Sequence, residues 1–229
     1  MAAHGPYDVI FADPPYGETA LPWDQWVPGW EAVARNCLKP SGSLWVFGSM
    51  RFFMRFGIPA GFRLAQDIVW EKHNGSGLHN DRFRRVHEHV VQFYRDDTAW
   101  ADIFNEVQVT PDAVARTVRR KSRPSHWGGV GEGRYVSVDG GPRIARSVIY
   151  MRSPRSGRHR TEKPASLVEI LIRTSCPEGG LVGDFFAGSS PVGEACQMLG
   201  RSYVGAEADP QIIEIARHRL AANLFGVAS

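Results

Sequence analysis

Apolar positions along the chain fall into two periods, and the switches between them mark the elements. Tyr7 to Ala12 is a near-continuous apolar run that ends at Asp13-Pro14-Pro15-Tyr16, which reads as a buried strand stopping in a rigid loop. From Trp23 to Leu38 the period is helical, with Trp26, Trp30, Val33, Ala34, Cys37 and Leu38 on one face, and Lys39-Pro40-Ser41-Gly42 stops the helix. A short apolar strand follows at Ser43 to Phe47, then a short helix at Met50 to Phe56. Arg63 to Trp70 is a strand with a charged end, Glu71-Lys72. A polar loop, residues 73–81, and Arg82-Phe83-Arg84-Arg85 lead into a strand from His87 to Tyr94.

Between Arg95 and Arg160 the periodicity fades into Gly, Pro, Ser and Arg with single aromatics at Trp127, Tyr135 and Tyr150, the pattern of an insertion or flap. Order resumes after Pro164, where Leu167, Ile170, Leu171 and Thr174 define a helix. Leu181 to Phe186 is a strand. Ser190 and Pro191 are expected to be the N-cap and first position of the next helix, which buries Val192, Ala195, Cys196 and Leu199. Ser202 to Ala206 is a strand ending in Glu207, and a last helix spans Pro210 to Leu224. Alternating strands and helices of this kind make an α/β protein.

Composition changes this picture in one place. The 229 residues, 43% hydrophobic and 22% charged, suit one sizeable α/β domain. No apolar stretch is long enough to span a membrane and the N-terminus lacks the pattern of a signal peptide, so a cytoplasmic protein is expected. Cys37, Cys176 and Cys196 are far apart in apolar patterns and read as reduced core residues. His87 and His89 share a strand face, but no further ligands accompany them, so no metal is expected. The net charge of +3 conceals an asymmetry. Residues 116–160 hold twelve Lys or Arg against two acids, a local +10, and the rest of the chain carries −7. Such a block points to a phosphate backbone, with a solvated loop as the plainer alternative.

Two motifs carry the chemistry. Two prolines remove two backbone donors, so the loop Asp13-Pro14-Pro15-Tyr16 offers a carboxylate, free carbonyls and an aromatic face at the end of one strand. That set suits a flat group with an exocyclic NH2, such as a nucleobase. Far along the chain, the strand at Leu181 feeds Ala187-Gly188-Ser189-Ser190-Pro191 and a helix, and about twenty residues on a second strand ends in the acid Glu207. This is the layout of a nucleoside-cofactor site. The turn is not GxGxxG, and there is no Gly-Lys-Ser/Thr phosphate loop, so a nucleoside without a pyrophosphate fits better than NAD or ATP.

With LKPSGSLWVFGS (38–49), WEKHNG (70–75), HRTEKP (159–164), DFFAGS (184–189), LGRSYVGAEAD (199–209) and ARHRL (216–220), these motifs resemble the DNA amino-methyltransferases that use S-adenosylmethionine. The catalytic tetrapeptide precedes the cofactor loop, as in their permuted β group. The resemblance implies a Rossmann-like, doubly wound, mostly parallel sheet with helices on both faces, circularly permuted and carrying a basic insertion. It implies a catalytic half at 1–95, a target-recognition region at 96–158 and a cofactor half of the same domain at 159–229.

By the same resemblance, Asp13 and the Pro14 carbonyl accept from the target amine, Pro15 shapes the loop and Tyr16 stacks on the base. Asp13 also borders the S-adenosylmethionine pocket, with Asp184, Phe186, Ala187, Gly188 and Ser189. Glu207 holds the ribose with Asp209 beside it, and Thr161, Glu162, Lys163 and Pro164 close over the methionine end. Arg116, Arg119, Arg120, Lys121 and Arg123 are the candidate DNA contacts.

The implied reaction is methyl transfer to the N6 of an adenine in DNA, flipped out of the duplex, because Asp opens the tetrapeptide; N4 of cytosine is the alternative. Methyl transfer to RNA or a protein glutamine, and an inactive DNA-binding relative, are the competing classes. DNA is the implied partner, and a homodimer is compatible, since one small domain covers only part of a duplex. The chain departs from the family pattern twice. Ser190-Pro191 stands where Gly-Thr is usual, so a side chain at 190 is expected to narrow the loop. Only about six residues precede the first strand, so the sheet is expected to lack one strand beside the adenine pocket.

Overall fold

The computed structural model describes residues 1–76, 80–120, 133–154 and 162–224. Contacts divide the chain into two compact units: Met1–Glu106 together with the chain from Ser147 onward, and Val107–Arg146. The second is narrower than the expected insertion.

In the larger unit, β1 (Tyr7–Ala12), β2 (Leu38–Gly48), β3 (Phe62–Ser76), β4 (Arg85–Arg95), β9 (Val148–Tyr150), β10 (Leu181–Asp184) and β11 (Ser202–Gly205) form one sheet in the order β11-β10-β1-β2-β4-β3-β9. The pairs β11–β10, β10–β1, β1–β2 and β3–β9 are parallel; β4 is antiparallel to both its neighbours and is the one reversed strand. The mostly parallel Rossmann-like sheet is therefore as expected. At one edge lies β11, with no strand beyond it among the described residues.

Alternation along β1 and β2 assigns the helices to faces. Val9, Phe11, Trp45 and Phe47 point to one side. There they pack with Leu167, Val168, Leu171 and Ile172 of α3 (Ala165–Ser175) and with Val192, Ala195, Cys196 and Leu199 of α4 (Pro191–Leu199). Ile10, Ala12, Leu44 and Val46 point to the other side, onto Trp30, Ala34 and Cys37 of α1 (Trp30–Cys37) and Phe52 of α2 (Met50–Phe56). Trp45, fully buried, donates its indole N–H to Ser175 Oγ at 2.8 Å and so satisfies the polar end of a large apolar side chain. The last helix, α5 (Pro210–Leu224), packs against α4.

The structure corrects several element boundaries. The helix expected from Trp23 begins only at Trp30. Pro28 disfavours the helical region for Val27, and Gly29 sits at φ +82° just before the helix. Asp24 meanwhile accepts from the amides of Gly17, Glu18 and Thr19 and from the Thr19 hydroxyl, at 2.7 to 2.9 Å, which ties the segment into a loop. The stop at 39–42 is a bulge inside β2: Tyr7 pairs with Leu38, and Val9 then pairs with Ser43. β3 continues through Glu71-Lys72 to Ser76. Within the stretch of faded periodicity, β9 joins the main sheet beside β3. In the smaller unit, β5 (Val109–Thr110) pairs with β8 (Arg143–Ile144), and β6 (Arg116–Arg120) with β7 (Gly133–Ser137), all antiparallel. No helix of the described residues is long and apolar enough to cross a membrane.

Asp8 joins three strands of the larger unit. Its buried carboxylate accepts from Lys39 Nζ at 2.8 and 2.9 Å and from the Leu181 amide at 2.8 Å, linking β1 to the β2 bulge and to the start of β10. Asp8→Ala is expected to lower unfolding free energy by about 2–3 kcal/mol, because it strands a buried amide without an acceptor. Urea denaturation with an unchanged m-value checks this.

Candidate active site

The strands β1 and β10 lie side by side, so the residues at their ends, Asp13 and Asp184, meet at the carboxyl edge of the sheet. Both line one cavity of about 670 Å³. Pro15, Glu162 and Lys163 also line it, as do Phe186, Ala187, Gly188 and Ser189 after β10, and Glu207 and Asp209 after β11. Pro14, Tyr16 and Pro164 are not in its lining. Thr161 lies outside the described residues.

Both Asp13 oxygens are engaged. Oδ1 accepts from the Tyr16 hydroxyl at 2.5 Å and Oδ2 from Lys163 Nζ at 2.5 Å. No donor among the described residues reaches the Pro14 carbonyl. Tyr16 packs tilted on Phe52, ring centroids 5.0 Å apart. Burial, and then Asp13, push its phenol pKa well up, so it is neutral and a donor. Lys163 is buried, lies 3.6 Å from Glu88 Oε2 and sits over the Phe47 ring at 5.3 Å. Burial works against its charge, but Asp13 and Glu88 outweigh it and raise its pKa. Glu88 also pairs with Lys72, whose ammonium is 4.5 Å above the Trp70 ring. Burial opposes ionisation of Glu88; the two lysines prevail and lower its pKa. The carboxylates and ammonium groups here alternate, so the site holds four charges with little net charge.

The loop after β10 is shaped by backbone contacts. Gly188 has φ +50°, and a Cβ there would meet nothing within 4 Å, so its backbone faces open space. Its amide donates to Glu207 Oε2 at 2.9 Å, while Glu207 Oε1 accepts from the amides of Ala208 and Asp209 at 2.8 and 3.0 Å. Three donors over two oxygens leave acceptor capacity on Glu207, the group that borders the cavity. Ser189 is anchored from behind by Arg219 of α5, whose guanidinium reaches the Ser189 carbonyl at 3.2 Å, Glu162 at 2.9 Å and Glu194 at 2.7 Å.

Ser190 is the N-cap of α4 and Pro191 its first position, as expected, but the Ser190 side chain behaves otherwise. The residue has φ +60° and makes no side-chain cap; its hydroxyl donates to the Tyr203 hydroxyl at 2.9 Å. The side chain is buried and absent from the cavity lining, so it does not narrow the loop, whereas Pro191 does line the cavity. Left-handed backbone at a non-glycine residue is strained, and the tertiary hydrogen bond offsets that strain.

Three groups of residues escaped the sequence reading. Trp23 and Val27, from the loop tied by Asp24, and Ile212 of α5 line the cavity. Their signal was an exposed-looking aromatic and Val on a segment read as helix. Glu88 and Lys72 border the catalytic loop, and an acid within the apolar run of β4 was the available sign. Arg219 was visible only as part of ARHRL. Among the described residues no cluster of three metal-ligating side chains occurs; His87 and His89 are simply stacked edge to face, 5.3 Å apart. In the smaller unit, Arg116 and Arg119 are exposed on β6, and Arg119 faces Arg134 directly across the β6–β7 hairpin. Arg120 closes β6, and Lys121, Arg123 and Trp127 lie outside the described residues.

Residues 7–218 match the N6/N4 methyltransferase family described as DNA methylase. The chain belongs to this family. It is a DNA methylase relative from the first strand to the last helix. Type II methyltransferase M2.DpnII of Streptococcus pneumoniae is 26% identical, over 94% of this chain and 83% of the relative. Type II methyltransferase M2.LlaDCHI of Lactococcus lactis subsp. cremoris is 25% identical, over 93% and 81%. In fold the chain is similar to the M1.HpyAVI–SAM complex (TM-score 0.62, 24% identity, 93% and 89% covered). It is also similar to PvuII DNA methyltransferase, which is cytosine-N4-specific (TM-score 0.63, 15% identity, 96% and 82% covered).

Asp184 gives the cavity a titratable floor. Burial raises its pKa to about 7, against the pull of the Phe186 amide. A carboxyl with a raised folded pKa stabilises the fold below its unfolded value near 3.8 and loses that contribution as pH rises through 7. Asp184→Asn removes the dependence. Its melting temperature relative to wild type should climb between about pH 4 and pH 7 and level off above; a thermal-melt series across that range checks it.

Proposed function

We propose that this DNA methylase relative transfers a methyl group from S-adenosylmethionine to the N6 of an adenine flipped out of DNA. The observation that carries the reading is the continuity of one cavity between Asp13 and Glu207. It sets an amine-accepting carboxylate at one end and a ribose-accepting carboxylate, beside an open-backed glycine, at the other. The cavity residues fit the cofactor. Its volume is that of a nucleoside-sized site, and Glu207 keeps acceptor capacity for ribose hydroxyls. Glu162 and Lys163 border the methionine end. Bound there, S-adenosylmethionine supplies an electrophilic methyl group on a positive sulfur.

The chain's own residues handle the amine. An exocyclic NH2 is a poor nucleophile because its lone pair is delocalised into the ring. Asp13 Oδ1 and the unclaimed Pro14 carbonyl are acceptors that draw the two N–H bonds toward the loop and favour a tetrahedral nitrogen. The Tyr16 hydroxyl occupies Oδ1 in this structure and yields it to the incoming amine, which frees the phenol ring to face the base. Lys163 stays on Oδ2 and fixes the carboxylate plane. The basic β6–β7 hairpin supplies phosphate contacts. N4-cytosine transfer is the second reading, because Asp13 and Pro14 recognise an amine and not the ring that bears it.

Labelled S-adenosylmethionine with unmethylated DNA, followed by separation of the nucleosides, tests both readings: N6-methyladenine is expected, and N4-methylcytosine would replace the first reading by the second. Asp13→Ala should lower turnover by about a hundredfold or more while calorimetric binding of S-adenosylhomocysteine persists. An active Asp13→Ala protein would remove the tetrapeptide from the mechanism.

A further inference from the structure

The reversed strand β4 has a consequence for DNA. Because it alone runs against the sheet, its beginning lies at the carboxyl edge, where β1 and β10 deliver Asp13 and Asp184. Its pairing with β2 ends at Gly48 opposite His89, so residues 85–88 of β4, with their β3 partners, run on beyond the end of β2. The β3–β4 hairpin thus overhangs the cavity side of the sheet. Glu88, in the overhang, contacts Lys163, and Arg85 lies 3.4 Å from Glu18, two residues after Tyr16. Arg82-Phe83-Arg84-Arg85, the cluster to which the mechanism assigns no role, leads into β4, of which Arg85 is the first residue.

Phe83 is fully exposed, at 102% relative accessibility, beyond every other large hydrophobic side chain described. It lies five positions before Glu88, an extended reach of at most about 17 Å. A phenyl ring left wholly in water forgoes its transfer free energy, and here it stands among three guanidinium groups, each within two residues, of which Arg82 pairs with Asp81 and Arg85 with Glu18. A surface that offers both apolar flatness and positive charge is complementary to a duplex, with its anionic rim and stacked interior.

We propose that Phe83 is a wedge that enters the DNA base stack where the target base leaves it, with the flanking arginines on the phosphates. The overhang sets its position: Phe83 stands just before the strand that carries Glu88, and Glu88 contacts the Lys163 that holds Asp13. A flipped base vacates its place in the stack, and a planar apolar side chain fills the gap that would otherwise favour its return. The proposal rests on the methyltransferase reading above.

The test uses the full chain and two duplexes carrying the site mapped from the labelled product. One is intact and the other has an abasic residue opposite the target, which weakens the hold on that base. On the intact duplex Phe83→Ala should lower kcat/KM about tenfold or more, and on the abasic duplex it should come within about threefold of wild type. Phe83→Trp should stay active on both, and melting temperatures should match wild type. Equal activity of Phe83→Ala and wild type on the intact duplex, or an equal loss on both duplexes, would overturn the wedge alone. Wild-type protein that labels no nucleoside of unmethylated DNA, so that no site can be mapped, would overturn the methyltransferase reading and the wedge with it.

Discussion

The ammonium group of Lys163 is the point on which the site depends. It lies between Asp13 and Glu88 in a nearly water-free position, and its charge survives burial because two carboxylates stand beside it. A buried ion pair is no guarantee of stability, since desolvation can exceed the attraction. Its value here is positional. Asp13 stands between β1 before it and two prolines' worth of fixed backbone after it, and Lys163 removes the remaining rotation of its carboxylate. Removing the lysine would leave Asp13 and Glu88 facing each other through a gap, two like charges with Lys72 and the more distant Arg85 to balance them.

Arg219 plays the matching part for the cofactor loop. It is buried, charge-balanced by Glu162 and Glu194, and donates to the carbonyl of Ser189. The loop at 187–190 contains a glycine and a serine at positive φ, and at the serine that backbone is strained and persists only where its surroundings hold it. Those surroundings are Arg219 behind, Glu207 on the Gly188 amide, and Tyr203 on the Ser190 hydroxyl. Glu162 next to Lys163 means that one short segment before α3 holds Asp13 directly and, through Arg219, the loop at 187–190.

The sheet order explains how distant parts of the chain meet. Asp13 and Asp184 lie far apart along the chain, yet β1 and β10 are neighbours and both end at the same edge. The order of the motifs along the chain is therefore immaterial to the chemistry; what matters is that each strand ends beside the other. The same edge receives the start of β4, because that strand is reversed, and this brings Glu88, Lys72 and the arginine-flanked Phe83 to the catalytic side.

Much of this was legible in the residues themselves. Apolar runs closed by Asp13-Pro14-Pro15 and by Ala187-Gly188 located β1, β10 and the two loops, because local patterns of burial and backbone restriction act over a few residues. Periodicity misjudged the segment at 23–29, since Trp26 keeps helical spacing while Pro28, Gly29 and the Asp24 carboxylate hold the backbone in a loop. Ser190 had the composition of an N-cap, but its hydroxyl is drawn to Tyr203 thirteen residues away, a partner no local pattern shows. The sequence by itself determined the strands, the acids and glycine that end them, and the family to which they belong. Only the tertiary structure decided which side chains surround Asp13, which walls Trp23 and Ile212 contribute to the cavity, and that Glu88 stands beside Lys163, because those depend on strand order and direction and not on neighbouring residues.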